Sequence, residues 1–273
     1  MTEQEELSKN KFSSLSFRSP TFRILCAGKW QPEEIEANDS TQAFTFPAPH
    51  AGRALAYWQE LIAAGDKYLF NGELFRLENF AAAPERLSLH LSRTCYRDQI
   101  YGNARAEELL HDFGEHALPH GLGVSALVIT ADNYLPIIRR SEHLGEEPGK
   151  LDVVGGHAHP DQHFTNGKPD LFGAILEELE AELNLATANV ISNICCGLVE
   201  NLQTRKPDLV FLTHTRATMR EIENGMASAV EAEEVAELLV VANVPYALAR
   251  FLRLNQNELT LSACACLHLL AQL

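Results

Sequence analysis

The segment Leu151–Leu185 restricts the possible folds more than any other part of the chain. It opens with an apolar strand, Leu151–Val154, that runs into Gly155-Gly156. The next stretch, His157–Lys168, is rich in His, Pro, Gly and Asp and reads as a loop. Across Asp170–Leu185, Phe172, Ile175, Leu179 and Leu183 recur at steps of three, four and four, the period of an amphipathic helix with one face on a core. The same helix carries Glu177, Glu178, Glu180 and Glu182 with no Lys or Arg among them. Glu178 and Glu182 stand four residues apart and meet on one face, where like charges cost roughly 0.2–0.5 kcal/mol. A divalent cation turns that repulsion into a binding site, and carboxylate oxygens suit Mg²⁺ or Mn²⁺. A solvated acidic face produces the same pattern, so the helix alone leaves both readings open.

The rest of the chain divides around a break at Leu118-Pro-His-Gly-Leu-Gly123. Residues 1–19 are polar and read as a mobile tail. A first lobe over 20–117 is expected to be α+β. It has a strand at Thr21–Cys26, a helix opened by Pro32-Glu-Glu, a helix at Ala51–Ala64, paired strands at Glu73–Phe80 and Arg86–Leu91, and a helix at Ala104–Phe113. A second lobe over 118–273 is expected to hold a mixed sheet with helices on its faces. Val124–Thr130 and Tyr134–Arg140 flank Ala131-Asp-Asn133 as a hairpin, and these two and Leu151–Val154 are expected in one sheet under the acidic helix. Further strands are expected at Val190–Val199, Leu209–His214 and Leu238–Val241, and helices at about Ala247–Leu254 and Leu259–Leu270.

Composition removes several classes of function. With 22 Lys+Arg against 37 Asp+Glu, the net charge is −15, which disfavours nucleic acid and anionic membranes as partners. A small anionic substrate stays possible, because a metal ion and a local Arg reverse the sign of one pocket. No apolar run approaches the ~18 residues of a membrane span, and the first twenty residues, with Glu3, Glu5 and Glu6 and no apolar h-region, do not resemble a signal peptide, so a cytoplasmic protein is expected. The six cysteines show no C-x-x-C spacing and are expected to be reduced structural residues. His157, His159 and His163 in the loop are a weak transition-metal candidate. Gly121-Leu-Gly123 precedes a strand rather than joining strand to helix, and Gly123-Val-Ser125 lacks the closing Gly of a nucleophile elbow.

A strand ending in Gly-Gly, a loop, and a helix with such acids resembles the signature of the Nudix hydrolases. Gly156 fits its Gly, Glu178 the Glu of its Arg-Glu pair, Leu179 the following aliphatic, Glu182 the second Glu of its Glu-Glu pair, and Leu185 the closing aliphatic. Glu177 stands in place of the Arg, Ala181 in place of the first paired Glu, Asn184 in place of the Gly, and Gln162 in place of the loop Glu; the loop is seven residues longer. The UDP-glucose pyrophosphatase branch of that superfamily shares a lengthened Gly-Gly-His loop and a helix ending Glu-x-Asn-Leu. Thr94-Cys-Tyr-Arg-Asp98 with Gly102-Asn103, and Leu151-Asp-Val-Val-Gly-Gly-His157, are similar to that branch too.

The resemblance implies a Nudix α/β/α sandwich with a mixed sheet and an N-terminal lobe at the nucleotide site. It implies Mg²⁺-dependent hydrolysis of UDP-glucose or UDP-galactose to UMP and sugar 1-phosphate, with Glu178 and Glu182 as metal-binding glutamates. The substrate would be a small nucleotide sugar. Nudix enzymes often place a further catalytic Glu in a late loop, and of Glu231, Glu233 and Glu234 the last is taken as the general base. Tyr96, Arg97 and Asn103 suit stacking on uracil, pairing a phosphate and bonding a ribose. Gly155 and Gly156 form the strand edge beside the substrate. Strand alternation turns one of Arg139 and Arg140 toward it, and Arg139 is the one assigned here. Two alternatives remain: a Nudix pyrophosphatase for another nucleoside diphosphate compound such as ADP-ribose, and a non-catalytic nucleotide-binding module.

Overall fold

A computed structural model describes residues 21–65 and 67–273; the tail expected over 1–19 lies outside the described residues. The segment read above as the first lobe contains, in chain order, β1 (Phe22–Trp30), β2 (Ile35–Ala43), α1 (His50–Ala64), β3 (Glu73–Ala83), β4 (Arg86–Cys95), α2 (Tyr96–Ala104) and α3 (Ala106–Phe113). There follow β5 (Gly123–Ile129), β6 (Tyr134–Arg140), β7 (Leu151–Asp152), β8 (Val154–His157), the two-residue strands β9 (Phe164–Thr165) and β10 (Lys168–Pro169), and α4 (Leu171–Leu183). The chain ends with β11 (Val190–Asn201), β12 (Pro207–Thr215), α5 (Met219–Gly225), β13 (Val235–Ala242), α6 (Pro245–Asn255) and α7 (Leu261–Leu270).

The architecture is a mixed α/β sandwich built on a five-stranded sheet of order β1-β11-β12-β5-β8. Its β12–β5 pair is parallel and the others antiparallel. All seven residues of β5 are buried, because both faces of the sheet are covered. Alternation divides them: Val124, Ala126 and Val128 pack with Leu171, Ile175, Leu179 and Leu183 of α4, whereas Leu127 and Ile129 face the layer of Ala263, Cys264 and Leu267 on α7. All six cysteines are free thiols, and Cys264 and Cys266 serve as small apolar side chains in that layer. Among the described residues no helix is long and apolar enough to cross a membrane.

Strand pairing differs from expectation at three places. Val124–Thr130 and Tyr134–Arg140 do not form a hairpin ladder. Both edges of β5 are occupied, by β12 and β8, so β6 leaves for a second sheet of order β13-β6-β7. Thr130 closes only the turn, its N–H donating to Tyr134 O at 2.9 Å. The expected strand Leu151–Val154 splits for the same reason, β7 pairing with β6 and β8 with β5. Finally, Pro32–Ala37 is no helix: Pro32–Glu34 makes one 3₁₀ turn, and Ile35 onward pairs in parallel with β4. Tertiary pairing overrides the local helix signal there.

The first lobe's own sheet has the order β2-β4-β3, and its inner residues Phe75, Leu87, Leu89 and Leu91 enter the same core as α4. β1 contributes an edge strand to the second lobe's sheet. α4 begins at Asp170, whose carboxylate accepts from the Gly173 N–H at 2.8 Å, and ends at Asn184 in the left-handed region with φ 54°. Asn184 occupies the signature's Gly position, and Asn is the side chain that enters this region at least cost after Gly.

Since α4 is fixed by its apolar face, truncating that face should loosen it. Leu179 is fully buried. Leu179→Ala should cost about 2–5 kcal/mol in urea unfolding, and Asp170→Ala about 1 kcal/mol through the lost cap. A Leu179→Ala cost within error of zero would contradict this packing.

Candidate active site

The four glutamates of α4 separate sharply: Glu178 and Glu182 lie along the edge of the apolar stripe, Glu182 on the same buried side as Leu171 and Ile175, while Glu177 and Glu180 point away from it. Glu177 and Glu180 are exposed, Glu178 is half-buried, and Glu182 is buried at 2% exposure. Glu177, in place of the signature Arg, accepts a hydrogen bond from Nε2 of His163 at 2.8 Å, which ties the long loop to the helix. His163 Nδ1 in turn accepts from the His159 N–H at 2.8 Å. Among the described residues the three loop histidines do not gather into a metal-ligating group.

Gly155 and Gly156 let β8 approach the helix. A Cβ at Gly156 would collide with Oε1 of Glu178, and one at Gly155 with the Val124 carbonyl. The Gly155 N–H donates to Oε2 of Glu182 at 3.3 Å. A polar cavity of about 550 Å³ opens beside this edge, a size that suits a nucleotide-scale ligand. Glu178, Gly155, Gly156 and Glu234 line it, and Glu182 lies directly behind Gly155.

Glu234 reaches the cavity through two backbone bonds. The Glu231 N–H donates to Ala181 O at 2.9 Å and the Ser141 N–H donates to Glu234 O at 2.8 Å, pinning the Glu231–Glu234 turn between α4 and the end of β6. The result is a cluster of like charges in low dielectric. Burial, then Glu231 and Glu234, push Glu178 up to about 8. Burial and the neighbouring Glu178 push Glu182 well above the carboxylate range, while Arg140 opposes them. Glu234 is raised by burial and by Glu231.

The two arginines at the end of β6 divide by alternation. Arg139, assigned to the substrate from sequence, points away: its guanidinium pairs with Glu237 at 3.0 Å and Glu258 at 3.2 Å on the outer face. Arg140 lines the cavity instead, donating to Glu146 O at 3.1 Å and meeting Asp152 at 3.5 Å. The sequence carried the signal, since Arg140 shares its side of the strand with Ile138, which packs in the α4 core.

Helix geometry sorts the first-lobe candidates. Tyr96, Ile100 and Asn103 are spaced i, i+4 and i+7 on α2, so all three line the cavity. Arg97 lies one helical step round and pairs with Asp98 at 2.7 Å, so it does not line the cavity. Tyr96 meets the His157 ring edge-on at 5.9 Å. Asn103 donates to Glu146 Oε1 at 2.7 Å and accepts from Gln99 at 2.7 Å.

Sequence reasoning did not reach the other half of the cavity wall. Glu146, Glu147, Asp152, Lys206 and Asp208 line it, and an aromatic group of Tyr57, Tyr68 and Phe70 lines it from the first lobe. Tyr68 and Phe70 are 54% and 78% exposed. Burial works against the charge on Glu146, yet Lys206 and Arg140 hold it down to about 2. Burial and Asp152 push Glu147 up to about 7. Burial and the Lys206 charge push His157 down to about 3, leaving it neutral.

Glu178 and Glu182 bind their protons more tightly in the folded chain than in the unfolded one. Their contribution to stability is therefore present in full below about 4.5 and lost as pH rises, for Glu178 toward about 8. In EDTA, Tm should fall between about pH 5 and pH 8, and Glu182→Gln should flatten that slope. An unchanged slope in the variant would show that Glu182 is not the strained group.

No family model matches the chain. Relatives are nonetheless recognisable. The uridine diphosphate glucose pyrophosphatase NUDT22 of Homo sapiens is 30% identical over 208 residues, 66% of this chain and 68% of the human one. The protein of the same name from Mus musculus is 26% identical over 268 residues, 88% of this chain and 85% of the mouse one. Nudix hydrolase 9 of Arabidopsis thaliana is 22% identical over 253 residues, covering 80% and 81%. With 30% identity across two thirds of the human relative, and with the glycine edge and acidic helix set together as described, the chain belongs to the Nudix hydrolases and resembles their UDP-glucose pyrophosphatase branch.

Proposed function

We propose that this Nudix pyrophosphatase hydrolyses the pyrophosphate bond of a UDP-sugar, UDP-glucose or UDP-galactose, to UMP and sugar 1-phosphate with Mg²⁺, Mn²⁺ also suiting the ligands. The observation that carries this reading is the Glu178–Glu182 pair at the glycine edge of a polar cavity, Glu178 lining it and Glu182 buried behind Gly155. The resemblance to relatives named for UDP-glucose supports the substrate class.

The donor set fits a hard divalent cation, since it is made of carboxylate oxygens alone. Among the described residues no group of three or more His, Cys, Asp or Glu encloses a metal by itself. Two protein ligands with water and substrate phosphates match the way Mg²⁺ is usually held. When bound, the cation offsets the diphosphate charge and polarises its P–O bonds. Glu178 and Glu182 would hold it. Glu234 would take the proton of the water whose oxygen attacks phosphorus as the bond to the bridging oxygen breaks. The Arg140 guanidinium would meet a phosphate oxygen on the side away from the helix. Tyr68 and Phe70 offer apolar faces to the base.

Incubation with UDP-glucose and Mg²⁺ should release UMP and glucose 1-phosphate in equal amounts, identified by mass spectrometry. Glu182→Gln keeps the side-chain volume and removes one charge, so turnover should fall at least about 100-fold. Tm in EDTA should stay equal or rise, because a like-charge contact is lost. Near-wild-type turnover by the variant at limiting Mg²⁺ would overturn the mechanism.

A further inference from the structure

A buried charged cluster beside the glycine edge has no part in the chemistry above. Glu146 is its centre. Asn103 donates to one of its carboxylate oxygens at 2.7 Å, and Lys206 Nζ approaches the other at 3.4 Å. His157 Nε2 lies 3.5 Å from that second oxygen yet makes no hydrogen bond, although the atom is buried. Four separate segments meet here: α2, the loop after β6, the end of β8 and the turn before β12. His157 follows Gly156 directly, so the cluster adjoins the diphosphate end of the cavity.

The three parts of a UDP-sugar differ in what they demand of a wall. A diphosphate needs unmatched positive charge. Here Lys206, the cation of the cluster, is already answered by Glu146, with Asp208 also close enough to favour its charge. A nucleobase needs a flat apolar face, which the aromatic group at the first lobe supplies and a buried ion pair does not. A hexose presents adjacent hydroxyls, each both donor and acceptor. A carboxylate, an ammonium and an imidazole held side by side match that pattern.

We propose that Glu146, Lys206 and His157 form the sugar subsite, which accepts a neutral hexose and rejects a sugar bearing a carboxylate. This rests on the UDP-sugar reading above. The rejection follows from charge: the subsite holds no unmatched cation, and Glu147, Asp152 and Asp208 stand around it. A uronate carboxylate would be buried against acids with no partner of its own.

The test compares kcat/KM for UDP-glucose and UDP-glucuronate, and the Kd of UDP, in the wild type, Glu146→Gln and Lys206→Gln. The wild type should favour UDP-glucose by about 100-fold or more. Glu146→Gln removes the carboxylate that pairs with Lys206 and leaves only the more distant Asp208 to oppose its charge, so relative activity on UDP-glucuronate should rise about tenfold. Lys206→Gln should shift it the opposite way while lowering kcat/KM for UDP-glucose. UDP, which has no sugar, should bind all three proteins within about threefold. A purely structural cluster would lower Tm and both activities together and leave the ratio unmoved. An unmoved ratio in both variants, or loss of UDP affinity in step with UDP-glucose activity, overturns the subsite. If Glu146→Gln does not fold, the ratio in Lys206→Gln decides alone. If wild type releases no UMP from UDP-glucose, the parent reading fails instead, and the wild-type arm alone reports it.

Discussion

The arrangement of the molecule turns on two carboxylates of one helix face held out of bulk water against a glycine edge. Glu178 and Glu182 stand one turn apart on α4, and Glu182 is only 2% exposed. An isolated helix would avoid this by rotating or fraying, since like charges at this spacing are destabilising and burial adds a desolvation penalty. α4 has neither escape. Leu171, Ile175, Leu179 and Leu183, on the adjoining stripe, lock the helix into the core it shares with β5 and β12, and its two ends are capped by Asp170 and Asn184. The apolar stripe therefore fixes where the acids point. Gly156 sets how closely β8 approaches Glu178, and Gly155 how closely it approaches β5.

The same constraint explains how the lobes are joined. A cavity walled by repelling carboxylates needs a rigid frame, and that frame crosses the boundary between lobes. β1 pairs with β11, and the inner face of the first lobe's sheet shares one core with α4. On the polar side a chain of hydrogen bonds runs from the Gly121 N–H through Gln99 and Asn103 to Glu146. It connects the segment entering β5, helix α2 and the loop after β6. A shift of α2 would thus disturb Glu146 and, through the Glu146 carbonyl, Arg140. The cavity is a joint property of both lobes.

What could be read from residues alone follows the distance over which each signal acts. The acidic helix and its glycine edge are local patterns, and the periodicity of Phe172, Ile175, Leu179 and Leu183 places α4 within two residues of its observed ends. Facing is harder. Arg139 and Arg140, or Arg97 and Asn103, are told apart only once the partner of the strand or helix is known. Knowing that Ile138 faces α4 would have selected Arg140. Pairing is harder still: the hairpin at Ala131-Asp-Asn133 is locally plausible and fails because β8 and β12, distant in sequence, occupy both edges of β5. Glu146, His157 and Lys206 lie in three separate segments, each an ordinary polar residue in its own context. Only the fold makes them one cluster.

The departures from the Nudix signature fall into place by the same logic of supply from elsewhere. Asn184 adopts the left-handed conformation that a Gly would take, so the exit from α4 is preserved. The lengthened loop is tied down by His163, whose ring bonds both the loop backbone and Glu177. Glu177 stands in place of an Arg and leaves α4 without a cation, so the positive charge facing Glu182 is supplied by another element. It comes from Arg140 on β6, which is buried among Asp152, Glu182 and Glu146 and kept charged by them. Arg140 belongs to a strand and also touches the loop that carries Glu146, so the acidic helix and the charged far wall share one guanidinium. Electrostatic compensation for Glu182 therefore comes from the seam between the site's two halves and not from α4 itself.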